Sequence, residues 1–266
     1  MPMLAAMQLD LDGAAVHLSD WGQPFRPEAA SIVWLHGAGM DHSVWTLQAR
    51  AKPFHGRNSL APDLPGHGRS GGAAAGSIAH SAAWLLRLLD GLGIARATLV
   101  GHSMGALIAL ETAATAPGRV EQLVLLGAAA RMPVHPGLLA AAADDLPKAA
   151  AMIADWGIGT AAKLTGGGTP GVSLATSARR LLESSPPGTL AADLAACSAY
   201  AEGEARAATL RCPTLVLCGA QDRMTPARQG QKLAALIPGA RLVTVPAAGH
   251  MLMLERPKPV LEALLG

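Results

Sequence analysis

The sequence predicts an α/β protein: a mostly parallel, doubly wound sheet with helices on both faces and a helical insertion after the sixth strand. Three observations carry this. Short, continuously apolar runs such as Ile32-Val33-Trp34-Leu35, Ala97 to Val100 and Gln122 to Leu126 are separated by helical stretches, the pattern of strands buried on both faces of a parallel sheet. From Arg131 to about Arg206 that rhythm gives way to an Ala-rich stretch broken by Pro133, Pro136, Pro186 and Pro187, with several helical segments and no convincing strand. The strand–helix alternation then resumes at Thr214. The expected organisation is a core of residues 1–130 and 207–266 and a helical insertion of residues 131–206.

In order, Met7, Leu9 and Leu11, then Val16 and Leu18, alternate with polar residues around Asp12-Gly13, the signature of an antiparallel hairpin. Ser31 to Leu35 is a strand running into His36-Gly37-Ala38-Gly39, with a short helix expected near Val44 to Arg50. Ser59 to Ala61 is a short strand ending at the turn-rich run from Pro62 to Ser70. Ile78 to Leu92 has helical spacing, with Ala82, Leu85, Leu86 and Leu89 on one face. The strand from Ala97 is followed by an apolar helix from Ala106 to Ala116. After the insertion come the strand Thr214 to Leu217, a helix from about Pro226 to Leu236, the strand Arg241 to Val245 and a helix Pro257 to Leu265.

Bulk properties narrow the function classes. A chain of 266 residues suits one large α/β domain with an insertion. It is 50% hydrophobic but only 3% aromatic, so its core must be built from Ala, Val, Leu, Ile and Met. The net charge of +2 is scattered and no basic run appears, so neither nucleic acid nor an anionic membrane is an expected partner. The N-terminus has no basic region typical of a secretory signal, and no apolar run reaches the ~18 residues of a membrane span. Cys197, Cys212 and Cys218 show no C-x-x-C spacing and read as free thiols. A cytoplasmic protein, monomer or homodimer, is the expectation.

Candidate chemistry begins at Gly101-His102-Ser103-Met104-Gly105. A strand that becomes a helix within two residues strains the residue at the turn, and small neighbours two positions either side make that tolerable. Such a turn lifts the Ser103 hydroxyl clear of the sheet and puts the Met104 N–H in the first turn of a helix, where negative charge is stabilised. A chain of this composition carries roughly 0.17 copies of G-x-S-x-G by chance, so the context has to supply the partners. In an open parallel sheet ligands sit beyond the carboxyl ends of the strands, and His36-Gly37-Ala38-Gly39, Asp222 and His250 all follow strand ends. A serine needs a base to take its proton, and an imidazole base needs a carboxylate on its other nitrogen. Ser103, Asp222 and His250 supply nucleophile, acid and base in that chain order.

These pieces, with Asp63-Leu64-Pro65-Gly66-His67-Gly68-Arg69-Ser70, Gly219-Ala220-Gln221-Asp222 with Pro226, and Gly249-His250 with Glu255-Arg256-Pro257, resemble the α/β-hydrolase superfamily over nearly all of the chain outside the insertion. The resemblance implies Ser103 as nucleophile, His250 as general base, Asp222 as the orienting acid, and the Ala38 and Met104 amides as the oxyanion hole. It implies residues 131–206 as a cap over the pocket, in the serine esterase or lactonase branch. Gly39, His102, Trp156 and Met251 are further candidates for substrate contact. His36, His67 and His102, in motif turns, and Asp63 read chiefly as braces of their loops. Met251 to Leu254 could line the pocket or pack in the core, and the run from Gly166 to Gly171, which formally matches G-x-G-x-x-G, reads as a cap hinge because no strand precedes it.

A serine at the strand-to-helix turn, the elbow of residues 101–105, argues against branches that need a carboxylate nucleophile. The leading expectation is hydrolysis of a small, largely apolar carboxylic ester or lactone, with no cofactor and no metal. A carbon–carbon bond hydrolase is weakened by the non-aromatic Met251. A cofactor-free haloperoxidase or perhydrolase, and a ligand-binding receptor with vestigial turnover, remain the other readings. With Trp156 and Tyr200 as its aromatic residues, the cap suggests an aliphatic pocket for short or medium acyl groups.

Overall fold

The computed structural model describes residues 7–165 and 172–266. The run from Gly166 to Gly171, read above as a hinge, lies outside the described residues. The strands are β1 (Met7–Leu11), β2 (Ala14–Ser19), β3 (Ser31–Leu35), β4 (Asn58–Pro62), β5 (Ala97–His102), β6 (Val120–Leu126), β7 (Thr214–Gly219) and β8 (Arg241–Val245). They form one eight-stranded sheet in the order β1-β2-β4-β3-β5-β6-β7-β8. The β1–β2 and β2–β4 pairs are antiparallel and the rest are parallel. Asp12 and Gly13 turn the first hairpin with φ of 57° and 78°, as a two-residue primed turn requires.

The helices are α1 (Thr46–Ala49), α2 (Ile78–Gly91), α3 (Met104–Thr115), α4 (Pro136–Asp144), α5 (Leu146–Gly157), α6 (Thr160–Thr165), α7 (Leu174–Glu183), α8 (Thr189–Ala199), α9 (Gly203–Thr209), α10 (Ala227–Leu236), α11 (Leu252–Glu255) and α12 (Pro257–Leu265). Successive strand residues point to opposite faces, and here both faces are covered. Val33, Leu35, Leu99 and Leu123 pack with α2, α3 and α10, while Ile32, Trp34, Val100 and Val124 pack with α1, α11 and α12 on the other side. That double burial is why the strands read as unbroken apolar runs. Trp34, fully buried, rests against Trp45 and Phe54 at ring-centroid distances of 5.4 and 5.5 Å, and its Nε1 donates to Ser59 Oγ at 3.0 Å.

Helix α3 is buried on every side from Met104 to Ala113, which fits a sequence apolar all round rather than along one stripe. Helix α2 is amphipathic, but its inner face is Ala82, Leu85, Leu88 and Leu89, and Leu86 is only half-buried. Three of the four expected positions are thus on the inner face, and Leu88 takes the place of Leu86. From β3 the chain moves outward to β4 and then returns across β3 to β5, so the strand order reverses between β3 and β5. That reversal opens a crevice at the carboxyl ends of these strands. The helices α4 to α9 all fall between β6 and β7, where the sequence placed its helical insertion. No helix of the described residues is long and apolar enough to cross a membrane.

Candidate active site

The crevice begins at the β5–α3 junction. Ser103 has φ 52° and ψ −116°, a conformation that costs a non-glycine residue on the order of 1–3 kcal/mol and persists only where its surroundings enforce it. The enforcement is steric. A Cβ on Gly101 would run into the carbonyl of Gly105, and one on Gly105 into the carbonyl of Leu35, so strand β5, helix α3 and strand β3 approach as closely as they do because both residues are glycine. The Ser103 N–H donates to the Leu126 carbonyl at 2.9 Å, which extends the β5–β6 pairing through the turn. Met104 opens α3, leaving its N–H outside the helix's own ladder.

His250 and Asp222 come from the loops after β8 and β7. Those loops touch: the Gln221 N–H donates to the Ala248 carbonyl at 2.7 Å, and a Cβ on Gly219 would meet the Gly249 carbonyl. Across this contact Asp222 Oδ2 lies 2.9 Å from His250 Nδ1, both side chains being buried. Asp222 Oδ2 also accepts from Thr225 Oγ1 at 2.7 Å, and Oδ1 accepts from the Met224 and Thr225 N–H groups at 2.8 Å each. Burial pushes the Asp222 carboxyl up, but the facing His250 ring and the Thr225 donors outweigh it and hold the group below the ordinary aspartate value. An ionised Asp222 can only accept, so His250 Nδ1 carries the hydrogen and Nε2 is left unprotonated in the neutral ring.

Ser103 and His250 line one cavity of about 590 Å³. No hydrogen bond joins the Ser103 hydroxyl to the His250 ring among the described residues; such bonds are often loose without substrate and tighten in the complex. Ala38 and Met40, from the loop after β3, form part of the wall, and the insertion contributes Leu138, Ile153, Trp156 and Leu194. The lining is mainly apolar, with Arg131, Arg223 and Gln229 among its polar groups.

The family model described as the alpha/beta hydrolase fold matches residues 30–257. The chain belongs to this family. It is 30% identical over 252 residues to RutD of Pseudomonas savastanoi, provisionally named a carbamate hydrolase, covering 90% of this chain and 93% of that one. It is 32% identical over 252 residues to the dihydrolipoyllysine-residue acetyltransferase component of an acetoin cleaving system from Pseudomonas putida, covering 88% of this chain but only 62% of that longer protein. Among solved structures, an enol-lactonase from Burkholderia xenovorans superposes with a TM-score of 0.85 at 26% identity, over 97% of this chain and 98% of that one.

Within this α/β hydrolase the other candidates separate. Trp156 lines the cavity, its ring 5.8 Å from that of His135. Gly39, His102 and Met251 do not. Gly39 gives its N–H to Asp193 Oδ2 at 2.8 Å. His102 is fully buried with Nε2 2.9 Å from the His250 carbonyl, beneath the site, and burial together with the neighbouring His250 ring lowers it to about 3. Met251 is buried in the core. Tyr200 is also turned away from the cavity and donates to Glu111 Oε2 on α3 at 2.7 Å. All three cysteines are free, and Cys197 lies in the cavity wall.

His36, His67 and Asp63 brace loops, as read from the sequence. Asp63 Oδ1 accepts from the His42 N–H and faces His42 Nδ1, both at 2.8 Å, while Oδ2 accepts from the Arg69 N–H at 2.9 Å. Donor atoms of His17, His42 and Asp63 lie within 4.8 Å of one another, a grouping that no linear spacing reveals. With both oxygens of Asp63 engaged by nitrogen donors, the geometry is that of a loop brace. Thr225 and Asp193 went unnoticed in the sequence. A threonine three residues after a loop aspartate is the pattern of a local side-chain turn and is a usable signal for the first; Asp193, 154 residues from Gly39, offers none.

Proposed function

We propose that this chain hydrolyses a carboxylic ester or lactone through an acyl-enzyme on Ser103. The observation that carries the reading is the strained Ser103 sharing a cavity with His250, whose far nitrogen faces the buried Asp222 at 2.9 Å. Ser103 Oγ adds to the carbonyl carbon as its proton passes to His250 Nε2. The electron pair of the carbonyl becomes an oxyanion held by the N–H groups of Ala38 and Met104. Collapse breaks the C–O bond and the departing alkoxide takes the proton from His250; in a lactone the new hydroxyl stays tethered to the acyl group. Water then adds with His250 as base, and the carboxylic acid leaves as Ser103 regains its proton.

The lining favours a small, largely apolar acyl group, and 590 Å³ lies within the usual range for small-molecule pockets. In this reading helices α4 to α9 act as the cap. The likeness to an enol-lactonase and to a protein named for carbamate hydrolysis supports cleavage at a carbonyl carbon. A panel of p-nitrophenyl esters and lactones of graded acyl length, run with wild type and Ser103→Ala, tests it: turnover should depend on Ser103, and equal turnover by the variant would end the proposal.

A further inference from the structure

Helix α8 reaches the loop after β3 through one carboxylate. Asp193, buried on α8, accepts through Oδ2 from the Gly39 N–H at 2.8 Å and faces His67 Nε2 at 2.7 Å. Gly39 directly follows Ala38, whose N–H is the proposed oxyanion donor. The loop and the insertion are packed without slack: a Cβ on Gly39 would lie 2.8 Å from Leu190 Cδ1 and 3.3 Å from Leu182 Cδ2.

The proton inventory follows from the partners. His67 Nδ1 lies 2.9 Å from the Pro65 carbonyl, which can only accept, so Nδ1 carries a hydrogen. Nε2 faces the Asp193 carboxyl at 2.7 Å, so both ring nitrogens meet acceptor oxygens, the pairing that favours the imidazolium. Neighbouring His36 is the opposite case. Its Nε2 accepts from the Leu64 N–H at 3.1 Å and its Nδ1 faces the Gly37 carbonyl at 2.9 Å, which makes it neutral. The groups facing His67 are thus Asp193 from α8, Asp63 from the loop after β4, and the neutral His36 ring, 4.9 Å away. Burial opposes charge on His67, yet the Asp193 hydrogen bond and charge lift the ring above the ordinary histidine value; burial and the His67 charge hold His36 down to about 4.

We infer that Asp193 is a positioning residue: paired with His67, it clamps the Gly39 amide and so fixes the loop that presents the Ala38 N–H to the developing oxyanion. The inference rests on the ester or lactone reading of the same site. It makes the insertion a working part of the oxyanion hole as well as a wall of the pocket. A clamp of this kind acts on the transition state, because the donor it places is used when negative charge appears on the carbonyl oxygen.

The experiment compares wild type, Asp193→Ala and Ser103→Ala on a p-nitrophenyl ester, and measures the affinity of each for a trifluoromethyl ketone, which forms a tetrahedral adduct with the serine. In Asp193→Ala, kcat should fall roughly 10- to 100-fold with KM within about threefold, and trifluoromethyl ketone affinity should fall in parallel with kcat/KM. Should that variant not fold, Asp193→Asn, of the same shape but uncharged, carries the same measurement with an expected loss of roughly three- to tenfold. Wild-type kcat in a folded Asp193 variant, or a loss confined to KM with unchanged ketone affinity, would overturn the clamp. A dead Ser103→Ala beside an unimpaired Asp193→Ala refutes the clamp alone, whereas an active Ser103→Ala refutes the underlying reading.

Discussion

The backbone N–H of His250 donates to the carbonyl of Gly157 at 2.6 Å. Gly157 is the last residue of α5, so the loop carrying the imidazole is seated on the insertion. Glu255 reinforces the contact: its Oε2 accepts from the N–H of Gly159, just beyond α5, and of Gly249, beside the histidine, at 2.9 Å each. Glu255→Ala would leave two buried N–H groups unpaired. It is expected to lower stability by about 3 kcal/mol and to reduce kcat by loosening the ring. Urea unfolding and ester turnover check the pair; unchanged values in both would show that the bridge holds nothing.

Asp222→Asn should retain the fold, because the Asn Oδ1 can still accept from the Met224 and Thr225 N–H groups, while kcat falls about 10⁴-fold as the ring loses the tautomer it needs. The same substitution alters the pH dependence of stability. Asp222 titrates below its ordinary value in the folded chain, so its contribution is present above the unfolded pKa of about 3.9 and is lost as pH falls through the lower folded value. Thermal melts between pH 6 and pH 3 should drop more steeply for wild type than for the variant. Parallel curves would mean that the carboxylate is not held down in the folded state.

Gly101→Ala places a Cβ against the Gly105 carbonyl and the Ala106 nitrogen. The clash is with the backbone of α3 alone, so no side chain can move aside. A loss of about 3 kcal/mol or more is expected, a fall in Tm of roughly 10 °C for a domain of this size. A melt within a degree or two of wild type would show that the elbow is not under the compression described.

Trp156→Ala removes the largest side chain contributed to the cavity by the insertion. The ratio of kcat/KM for an octanoyl ester to that for an acetyl ester should rise roughly tenfold, as expected for methylenes gaining room in an apolar pocket. A ratio that stays put would place the acyl group against another wall.

Much of this arrangement is legible in the sequence because it depends on local rules. The parallel sheet announces itself through strands apolar on both faces, and the Ser103 turn through Gly101 and Gly105 on either side of it. Asp222 and His250 are found because chemistry in such a sheet gathers at strand ends. What escapes is long-range. His102 fixes its turn by a hydrogen bond, as read, but the partner, the His250 carbonyl 148 residues away, is invisible in the sequence. Met251 follows His250 but packs into the core with α11, a four-residue helix too short to show a period. Periodicity says which stripe of a cap helix is apolar without saying what it faces, so the partnership of Asp193 with Gly39 and His67 emerges only from the folded chain.

The proposed hydrolysis depends above all on activation of Ser103 as a nucleophile by His250. Incubation of the purified chain with a fluorophosphonate probe, followed by mass mapping of the labelled peptide, tests it. Stoichiometric label on Ser103, lost in Ser103→Ala and strongly slowed in His250→Ala, is the expected result. Absence of label on a folded chain that nonetheless hydrolyses esters, or label on another residue, would contradict it.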